Sequence, residues 1–369
     1  MTYKLDRRDF IRRLLTVSAA GAAWGLSGCG SRPAPNTATP TSPVAPTRTL
    51  PSTATAIPTG IPPTVRAGTA ASTAASAQNP TAAPTIASTP TSLPAPAAAA
   101  YLAVARGAGA DPAELTRRAI AAIGGIERFV KPGANVIVKP NICNAYHGPE
   151  YASTTNPDVI AAIIALCLGA GAARVRVMDF AFGGSPQASY ETSGIAAAVK
   201  AAGGEMETMN RLKFIKTTIP QGKILKSSSI YGDILAADVV INVPIAKNHG
   251  SATLTLGMKN LMGVIQDRNA LHARGLHQCI ADLNSAVRPQ LTIVDAIRIL
   301  ADNGPTGGSL DDVKRLDTII ASADVVAADA YATGLFGLKP TDVNYIKLGA
   351  DMGLGTLDLG SIQIEEIAV

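Results

Sequence analysis

Apolar residues between positions 101 and 369 follow two spacings that alternate along the chain. Short β-branched runs indicate strands, and longer segments with apolar residues at helical spacing indicate helices. The predicted strands are 135–138, 174–178, 237–243, 291–294, 318–321 and 362–367. The predicted helices are 155–168, 194–202, 253–262, 276–287, 324–335 and 342–348. This alternation predicts an α/β domain with a mostly parallel sheet and helices on both of its faces.

Two segments refine this prediction. The run 237–243 is apolar enough to form a central strand that is buried on both faces. Residues 205–231 lack a regular spacing, so we expect short, irregular strands there. These strands could form a small β subdomain beside the main sheet.

Residues 1–28 have the pattern of an export signal. Arg7 and Arg8 precede one variable residue and two apolar residues, an arrangement that resembles the twin-arginine export consensus. The uncharged stretch 14–26 is too short and too weakly apolar for a membrane span. It ends in Leu-Ser-Gly-Cys, which resembles a lipobox in which Cys29 would carry diacylglycerol. We expect export by the twin-arginine machinery; the alternative is an ordinary secretory lipoprotein signal with a chance pair of arginines.

The segment 29–100 is predicted to be a tether. Residues 31–100 contain no Lys, Asp or Glu and consist mainly of Pro, Thr, Ala and Ser. Such a composition offers too little bulky apolar surface to offset the entropy of the chain, so we expect disorder. The protein would therefore be held by membrane lipid through Cys29 on the outer face of the cytoplasmic membrane, with the domain 101–369 at the end of the tether.

The net charge of +5 is not carried by the folded domain. The export signal and the tether each contribute +3, which leaves residues 101–369 near −1. A domain without a positive balance lacks the electrostatic footprint of nucleic-acid binding, so we exclude a nucleic-acid partner.

Three cysteines follow Cys29 in the chain. None of them has Cys-x-x-Cys spacing, so the chain's own cysteines do not support an iron–sulfur cluster or a zinc site. Cys167 and Cys279 lie in predicted helices and are interpreted as core residues. Cys143 lies in a predicted loop and is the thiol of interest.

Polar side chains follow four of the predicted strands. They are Lys139 and Asn141, Asp179, Lys247 and His249, and Asp295. In open parallel sheets, ligands bind in the crevice beyond the carboxyl ends of the strands. We therefore expect these residues, together with Lys259 and Asn260, to converge on one site. The alternative is a set of unrelated solvated strand ends and helix caps.

These residue types suggest roles. Lys247 and Lys259 could hold a carboxylate or phosphate, with Lys139, Asn141 and Asn260 completing a substrate site. His249 could move a proton, and Asp179 and Asp295 could bind a divalent metal or orient His249. Asp329 would support the site from behind. Alternatively, Lys259 extends out of a partly buried helix and His249 caps a turn.

Two further patterns are weaker. His272 and His277 are five residues apart, so they do not share a helical face as paired metal ligands do. The run Asn303–Gly308 could cradle an anion through backbone N–H groups, but it lacks the Lys-Ser/Thr ending of a phosphate loop, and a plain turn is favoured.

The chain also resembles a known family, the domain of unknown function 362, over about residues 131–340. The resemblance is carried by motifs at 139–141, 155–158, 236–249, 255–263, 294–297, 303–305 and 321–329. Family members often carry a ferredoxin-like iron–sulfur segment, which implies redox chemistry, but this chain lacks those cysteines. It also departs from the family at Pro244-Ile245, where a proline-lysine step is usual, while Lys247 and His249 fit.

Two functions follow as expectations. One is an exported, membrane-tethered enzyme that acts on a small anionic substrate, with a divalent metal or a redox step left open. The other is a tethered lipoprotein that binds an anion or a metal without turnover. Acid–base variety at the strand ends favours the enzyme, whereas the missing iron–sulfur cysteines and nucleophile motifs favour simple binding.

Overall fold

A computed structural model describes residues 101–369. The predictions for the export motif at Arg7 and Arg8, for lipidation at Cys29 and for the tether lie outside the described residues. In the described part, no helix is both long enough and apolar enough to cross a membrane.

Twelve strands and ten helices are described between residues 101 and 369. The strands are β1 (Leu102–Arg106), β2 (Asn135–Pro140), β3 (Arg174–Val177), β4 (Glu205–Met206), β5 (Phe214–Thr218), β6 (Ser227–Tyr231), β7 (Val239–Val243), β8 (Ile245–His249), β9 (Thr253–Thr255), β10 (Leu291–Leu300), β11 (Val313–Ser322) and β12 (Ile364–Ala368). The helices are α1 (Pro112–Ala122), α2 (Pro157–Gly169), α3 (Pro186–Thr192), α4 (Ile195–Ala201), α5 (Gly232–Ala236), α6 (Gly257–Asn260), α7 (Arg268–Ala273), α8 (Leu276–Ala286), α9 (Val325–Thr333) and α10 (Asn344–Asp351).

The main sheet has the strand order β12-β1-β11-β10-β7-β2-β3-β4. Its centre is parallel, because β10, β7, β2, β3 and β4 all pair in the same direction. Strand β11 runs antiparallel to both of its neighbours, β1 and β10. The prediction of a mostly parallel sheet is confirmed, with two reversed strands, β11 and β9, that make the sheet mixed.

Helices cover both faces of the sheet, as predicted. Successive residues of a strand point to opposite faces. Accordingly, Val136 and Val138 of β2 pack in the core with α1, α2 and α4, whereas Ile137 packs in the core with α6, α8, α9 and α10. Cys167 and Cys279 lie in these two cores, as expected for small apolar side chains.

Two local predictions were wrong. Residues 245–249 and 253–255 form an antiparallel pair of strands, β8 and β9, in which Lys247 faces Thr255 and His249 faces Thr253. The helix predicted over 253–262 is reduced to α6 and a following 3-10 turn, Leu261–Val264. Strand β8 adds to β10 directly after Pro244, so polar residues expected in a loop are held in the sheet.

The irregular region 205–231 resolves into two parts. Strand β4 forms the edge of the main sheet, and β5 and β6 form a separate two-stranded antiparallel sheet. Ile230 and Tyr231 of β6 are buried in the same core as α6 and α8.

Candidate functional site

A cavity of about 250 Å³ lies beyond the carboxyl ends of β2 and β3, between β8 and the segment 255–272. It is lined by Lys139, Asn141, Cys143, Asp179, Phe182, His249, Thr255, Lys259, Asn260, Met262, Gly263, Arg268, Asn269, His272 and Pro305. The structure thus brings six of the sequence-predicted residues to one wall: Lys139, Asn141, Asp179, His249, Lys259 and Asn260. Lys247 lies directly behind that wall, and Asp295 and Asp329 do not line the cavity.

Lys139 and Asp179 form a buried ion pair at the floor of the cavity. The Lys139 Nζ lies 2.8 Å from Asp179 Oδ1. Its other protons go to the carbonyl oxygen of Pro140 at 2.8 Å and to Asn260 Oδ1 at 2.9 Å. Burial lowers the pKa of Lys139, and the charge of Asp179 opposes that shift. Because every proton of this ammonium has an acceptor, Lys139 is held in place and has none left for a ligand.

Gly263 allows this ion pair to form. A Cβ atom at this position would collide with Asp179 Oδ1 and with Lys139 Nζ. The Gly263 carbonyl also accepts the backbone N–H of Phe180 at 3.0 Å, next to Asp179. The turn after α6 therefore passes over the ion pair at backbone distance, which only glycine permits.

Asn260 connects the two halves of the wall. Its Oδ1 accepts from Lys139 Nζ and, at 2.8 Å, from Asn141 Nδ2. Its Nδ2 donates to Asn242 Oδ1 of β7 at 2.9 Å. Asn260 is therefore a structural link between α6 and the ends of β2 and β7, whatever further contact it makes with a ligand.

Lys247 is fully buried behind the cavity wall. Its ammonium lies within hydrogen-bond distance of Asn141 Oδ1 (2.9 Å), Cys143 Sγ (3.2 Å), the Ser153 carbonyl (2.6 Å) and the Pro305 carbonyl (2.9 Å). Four acceptors compete for three protons, so Lys247 has none to offer an anion. The prediction that Lys247 binds the ligand directly was wrong. Lys247 instead adds a positive charge behind the cavity and links the loop segments that contain Asn141, Ser153 and Pro305.

Lys259 differs from the other two lysines. It is 9% exposed and lines the cavity. Its Nζ takes part in none of the hydrogen bonds or ion pairs found among residues 101–369. Burial lowers the pKa of Lys259 to about 8; the interaction with Cys143 opposes this shift, and the charges of Lys247 and Arg268 add to it. Lys259 therefore loses its proton more readily than an ordinary lysine, and its nitrogen is not engaged by another residue of the described part.

Asp329 positions the helix that carries Lys259. Its two carboxylate oxygens accept the backbone N–H groups of Gly257 (2.6 Å) and Met258 (2.8 Å), the first residues of α6. A carboxylate at this end of a helix satisfies donors that have no partner within the helix. Asp329 thus holds the first turn of α6 and does not line the cavity itself.

Asp295 was predicted to face the site, and this prediction was wrong. Strand β10 does not end there but continues to Leu300, because β11 pairs with it beyond this point. Both Asp295 oxygens accept backbone N–H groups, from Asn156 at 2.7 Å and from Ile297 at 3.0 Å. Burial raises the pKa of Asp295 to about 6. Asp295 holds the start of α2 against β10.

The predicted metal pair of Asp179 and Asp295 is therefore not formed. Asp179 is engaged with Lys139 and with the backbone N–H of Ile142 at 2.6 Å, whereas Asp295 binds elsewhere. Within residues 101–369, no group of three or more His, Cys, Asp or Glu side chains is arranged to hold a metal ion.

His249 presents a neutral ring at the cavity. Burial lowers the pKa of His249 to about 3, with the charges of Lys259, Lys247 and His272 acting in the same direction. Its Nδ1 accepts the backbone N–H of Ser251 at 3.2 Å. A neutral ring that accepts at Nδ1 carries its proton on Nε2. His249, which we expected to move a proton, is therefore a neutral residue of the cavity lining with an N–H donor at Nε2.

Sequence reasoning singled out neither Arg268 nor Thr255 of the cavity lining, and it set His272 aside as a weak candidate. Arg268, on α7, donates to the carbonyl oxygens of Phe180 and, at 2.9 Å, of Ala181, and lies over the rings of Phe180 and Phe182. His272 lies one turn later, with its ring stacked on that of His249 at 6.3 Å. Arg268 and His272 lie in a short helix that the apolar spacing does not reveal. Cys143 lines the cavity, as its loop position allowed.

Comparison with known proteins gives the family. The model of the family described as "Domain of unknown function (DUF362)" matches residues 136–334, more than half of the chain. The resemblance found in the sequence is confirmed. The thylakoid-associated protein sll1697 of Synechocystis sp. (strain ATCC 27184 / PCC 6803 / Kazusa) is 28% identical over 246 residues, which cover 63% of this chain and 72% of that protein.

Two solved structures are similar at a lower level. One is the lactate racemase apoprotein from Thermoanaerobacterium thermosaccharolyticum, with 13% identity and a TM-score of 0.40 over 62% of this chain and 55% of that one. The other is a protein from Thermotoga maritima, with 11% identity and a TM-score of 0.39 over 62% of this chain and 60% of that one. The chain thus spans less than two thirds of either structure.

Proposed function

We propose, for a chain that belongs to the DUF362 family, that the cavity binds a small anion and that the domain acts on it as an enzyme. The observation that carries this proposal is the charge balance of the cavity. Four basic side chains, Lys139, Lys247, Lys259 and Arg268, lie in or directly behind its wall, with Asp179 as the one carboxylate among its lining residues.

An anion would remove an electrostatic cost that the folded domain carries. Taking a charged group out of water costs several kcal/mol unless a partner of opposite charge compensates, roughly as much for ammonium as for carboxylate. Asp179 compensates Lys139, but Lys259 has no counter-ion among the described residues. The depressed pKa of Lys259 reflects this cost. A bound carboxylate or phosphate would supply the missing charge and favour the ammonium form.

The enzyme part of the proposal rests on the variety of groups around the anion. Lys259 can exist as an amine or an ammonium near neutral pH, His249 offers an N–H donor, and Cys143 offers a thiol. Lys259 and His249, whose pKa values are both lowered, share this cavity, and such pairs are typical of sites that transfer protons. We do not extend the proposal to a metal, because Asp179 and Asp295 are occupied by other partners.

The location of the enzyme is part of the proposal. The Arg7-Arg8 motif and the lipobox at Cys29 support export and anchoring to the outer face of the cytoplasmic membrane. A Cys29 that carries two acyl chains would be held stably, because each buried CH₂ contributes about 0.8 kcal/mol. Cell fractionation of a Cys29→Ala variant tests this part: loss from the membrane fraction or failure of processing supports it, and normal processing with full retention contradicts it.

Ligand titration tests the site. We would titrate the full-length protein in detergent with acetate, pyruvate and inorganic phosphate, and with uncharged amide analogues of the acids. The anions should bind and the amides should not, and Lys259→Met should weaken binding while Lys200→Met, on the exposed side of α4, should not. NMR of the incubated mixtures would then report turnover. Equal binding of amides and acids would contradict the anion site, and binding without turnover of any tested anion would favour the simple binding protein.

A further inference from the structure

Among residues 101–369, Lys259 is the one lysine around the cavity whose side-chain nitrogen makes no structural hydrogen bond or ion pair. Lys139 has three acceptors and Lys247 has four. Lys259 lies on the rigid helix α6, which Asp329 holds at its first turn and Asn260 holds at its last residue. It is nine-tenths buried, and it lines the cavity with no acceptor among residues 101–369. A positioned and unoccupied amine of this kind can do covalent chemistry.

The surroundings of Lys259 increase the fraction of the neutral amine, which is the nucleophilic form. Lysines become nucleophiles when they are desolvated or when other cations lie beside them. Both conditions apply, because burial is the largest cause of its lowered pKa and the charges of Lys247, Arg268 and Lys139 act in the same direction. Lys139 and Lys247 therefore lower the pKa of Lys259, and they do not compete with it for the ligand.

We propose that the anion bound in the cavity is a small 2-oxo acid, and that its carbonyl carbon condenses with Lys259 Nζ to form an imine. This inference rests on the proposed anion-binding function and deepens it. The lone pair of Nζ forms the new N–C bond while the carbonyl π electrons move to oxygen. Both protons of the neutral amine end on that oxygen, the C–O bond breaks, and one molecule of water leaves. No oxidant, reductant or further reactant is consumed.

Other groups in the cavity fit the two ends of such a molecule. The Nε2–H of His249 can donate to the carbonyl oxygen and polarise it, because Nδ1 is occupied by Ser251. Arg268 uses one N–H of each terminal nitrogen for the carbonyls of Phe180 and Ala181, so its charge and its other N–H groups can serve the carboxylate. Thr255 is 3% exposed and lines the cavity, and its hydroxyl has no hydrogen-bond partner among the described residues. It can donate to the hydroxyl of the carbinolamine intermediate.

Reductive trapping tests the imine. Full-length protein would be incubated with pyruvate and borohydride, and the adduct located by peptide mass spectrometry. We expect one reduced pyruvyl group on the peptide that contains Lys259. Lys259→Arg, which keeps the charge but cannot form the imine, should lose the adduct and still bind pyruvate. The matched variant Lys200→Arg should be labelled as fully as the unmodified protein. A melting curve of each variant controls for folding.

The possible results separate the two proposals. Pyruvate binding without an adduct, or an adduct confined to another lysine, overturns the imine and leaves the anion site standing. If none of acetate, pyruvate or phosphate binds and no adduct forms, both proposals fall. Should Lys259→Arg fail to fold, the position of the adduct on the unmodified protein still decides, because labelling at Lys259 supports the imine and labelling elsewhere overturns it.

Discussion

Two clusters of basic side chains in this domain have opposite charge balances. Near the surface, Arg176 and Lys213 share two carboxylates, Glu207 and Asp233, and the Lys213 Nζ lies 3.0 Å from each of them. In and directly behind the cavity wall there are four basic groups, and the one carboxylate among the lining residues, Asp179, is paired with Lys139. The pKa of Lys213 is raised by its carboxylates, whereas the pKa of Lys259 is lowered to about 8 by burial.

The comparison shows how a charge cluster that stabilises the fold differs from one that can bind a charged ligand. The surface cluster is complete, since each cation has its anions and a ligand would only compete with them. The cavity has fewer carboxylates than basic groups, and Lys259 is the basic group that lacks a counter-ion. Lysine therefore has two roles in this domain. Lys213 stabilises the fold through its ion pairs, whereas Lys259 has no counter-ion and can bind an anionic ligand. The variants below test this difference, from the largest expected effect to the smallest.

Removing the charge of Asp179 should have the largest effect. Asp179→Asn would leave Lys139 buried without a counter-ion, which typically costs about 3–5 kcal/mol of stability. Asp233→Asn in the surface cluster is the matched control and should cost no more than about 1 kcal/mol, because Glu207 remains and the pair is partly solvated. Urea unfolding of the two variants measures the contrast. Equal losses would show that the cavity charges are no more sensitive than those at the surface.

Removing the charge of Lys259 should weaken ligand binding without weakening the fold. Hydrogen bonds to charged groups contribute about 1.5–3 kcal/mol, so Lys259→Met should reduce anion affinity by about 10- to 100-fold. The variant should melt no lower than the unmodified protein, because it removes an uncompensated buried charge. Lys213→Met should leave the affinity unchanged. Calorimetric titration and melting curves give both quantities, and a large loss of stability in Lys259→Met would argue for a structural role.

Anion affinity should fall as the pH rises through the pKa of Lys259, about 8. The sign follows from linkage: the anion favours the ammonium, so binding above that pKa requires uptake of a proton and weakens by about tenfold per pH unit. The titratable and charged groups facing Lys259 are Lys139, Cys143, Asp179, Lys247, His249, Arg268 and His272. Lys259→Arg stays charged, so its affinity should change little between about pH 7 and pH 9. An equal pH dependence in this variant would assign the effect to another group.

Replacing His249 should have a smaller effect on binding than replacing Lys259. A hydrogen bond from a neutral donor contributes about 0.5–1.5 kcal/mol, so His249→Ala should weaken anion binding by about 2- to 12-fold and leave the melting temperature nearly unchanged. It should lower any turnover more than it lowers binding, because the donor acts on the reacting carbonyl. His277, which lies against Tyr345 and not at the cavity, offers a control, and His277→Ala should leave binding and turnover intact.

The smallest effect is expected at the exposed end of the surface cluster. Lys213→Met should cost about 0.2–1 kcal/mol, because exposed ion pairs gain little in high dielectric and are screened by salt. The loss should shrink further in high salt, which urea unfolding at two salt concentrations would show. A cost as large as that of Asp179→Asn would remove the distinction between the two clusters.

Much of the sheet and part of the site could be predicted from the sequence, and the reason is topological. Lys139 and Asp179 each follow a β-branched run, and parallel strands place their carboxyl ends at one edge, about 4.8 Å apart. That argument needs only the positions at which strands end. It failed at Asp295, where the apolar run continues through Ile297 and Leu300 as part of a longer strand, because pairing with β11 carries β10 onward.

Other parts of the site depend on contacts that hydropathy does not encode. The polar run at 245–249 has the composition of a loop, and only its pairing with β9 and β10 makes it a strand. Arg268 and His272 reach the cavity from a six-residue helix that is too short to show a periodic pattern. The roles of Lys247 and Lys259 depend on whether acceptors surround each nitrogen, which is a property of the packed structure.

The absence of a side chain at Gly263 has a consequence for other chains with this domain. The space that a methyl group would occupy there is filled by the two charges of Lys139 and Asp179. A chain with any other residue at the equivalent position cannot keep that ion pair in this arrangement, even if it has both charged residues. This one position therefore offers a simple criterion for sorting such chains into those that can build the same cavity floor and those that must build a different one.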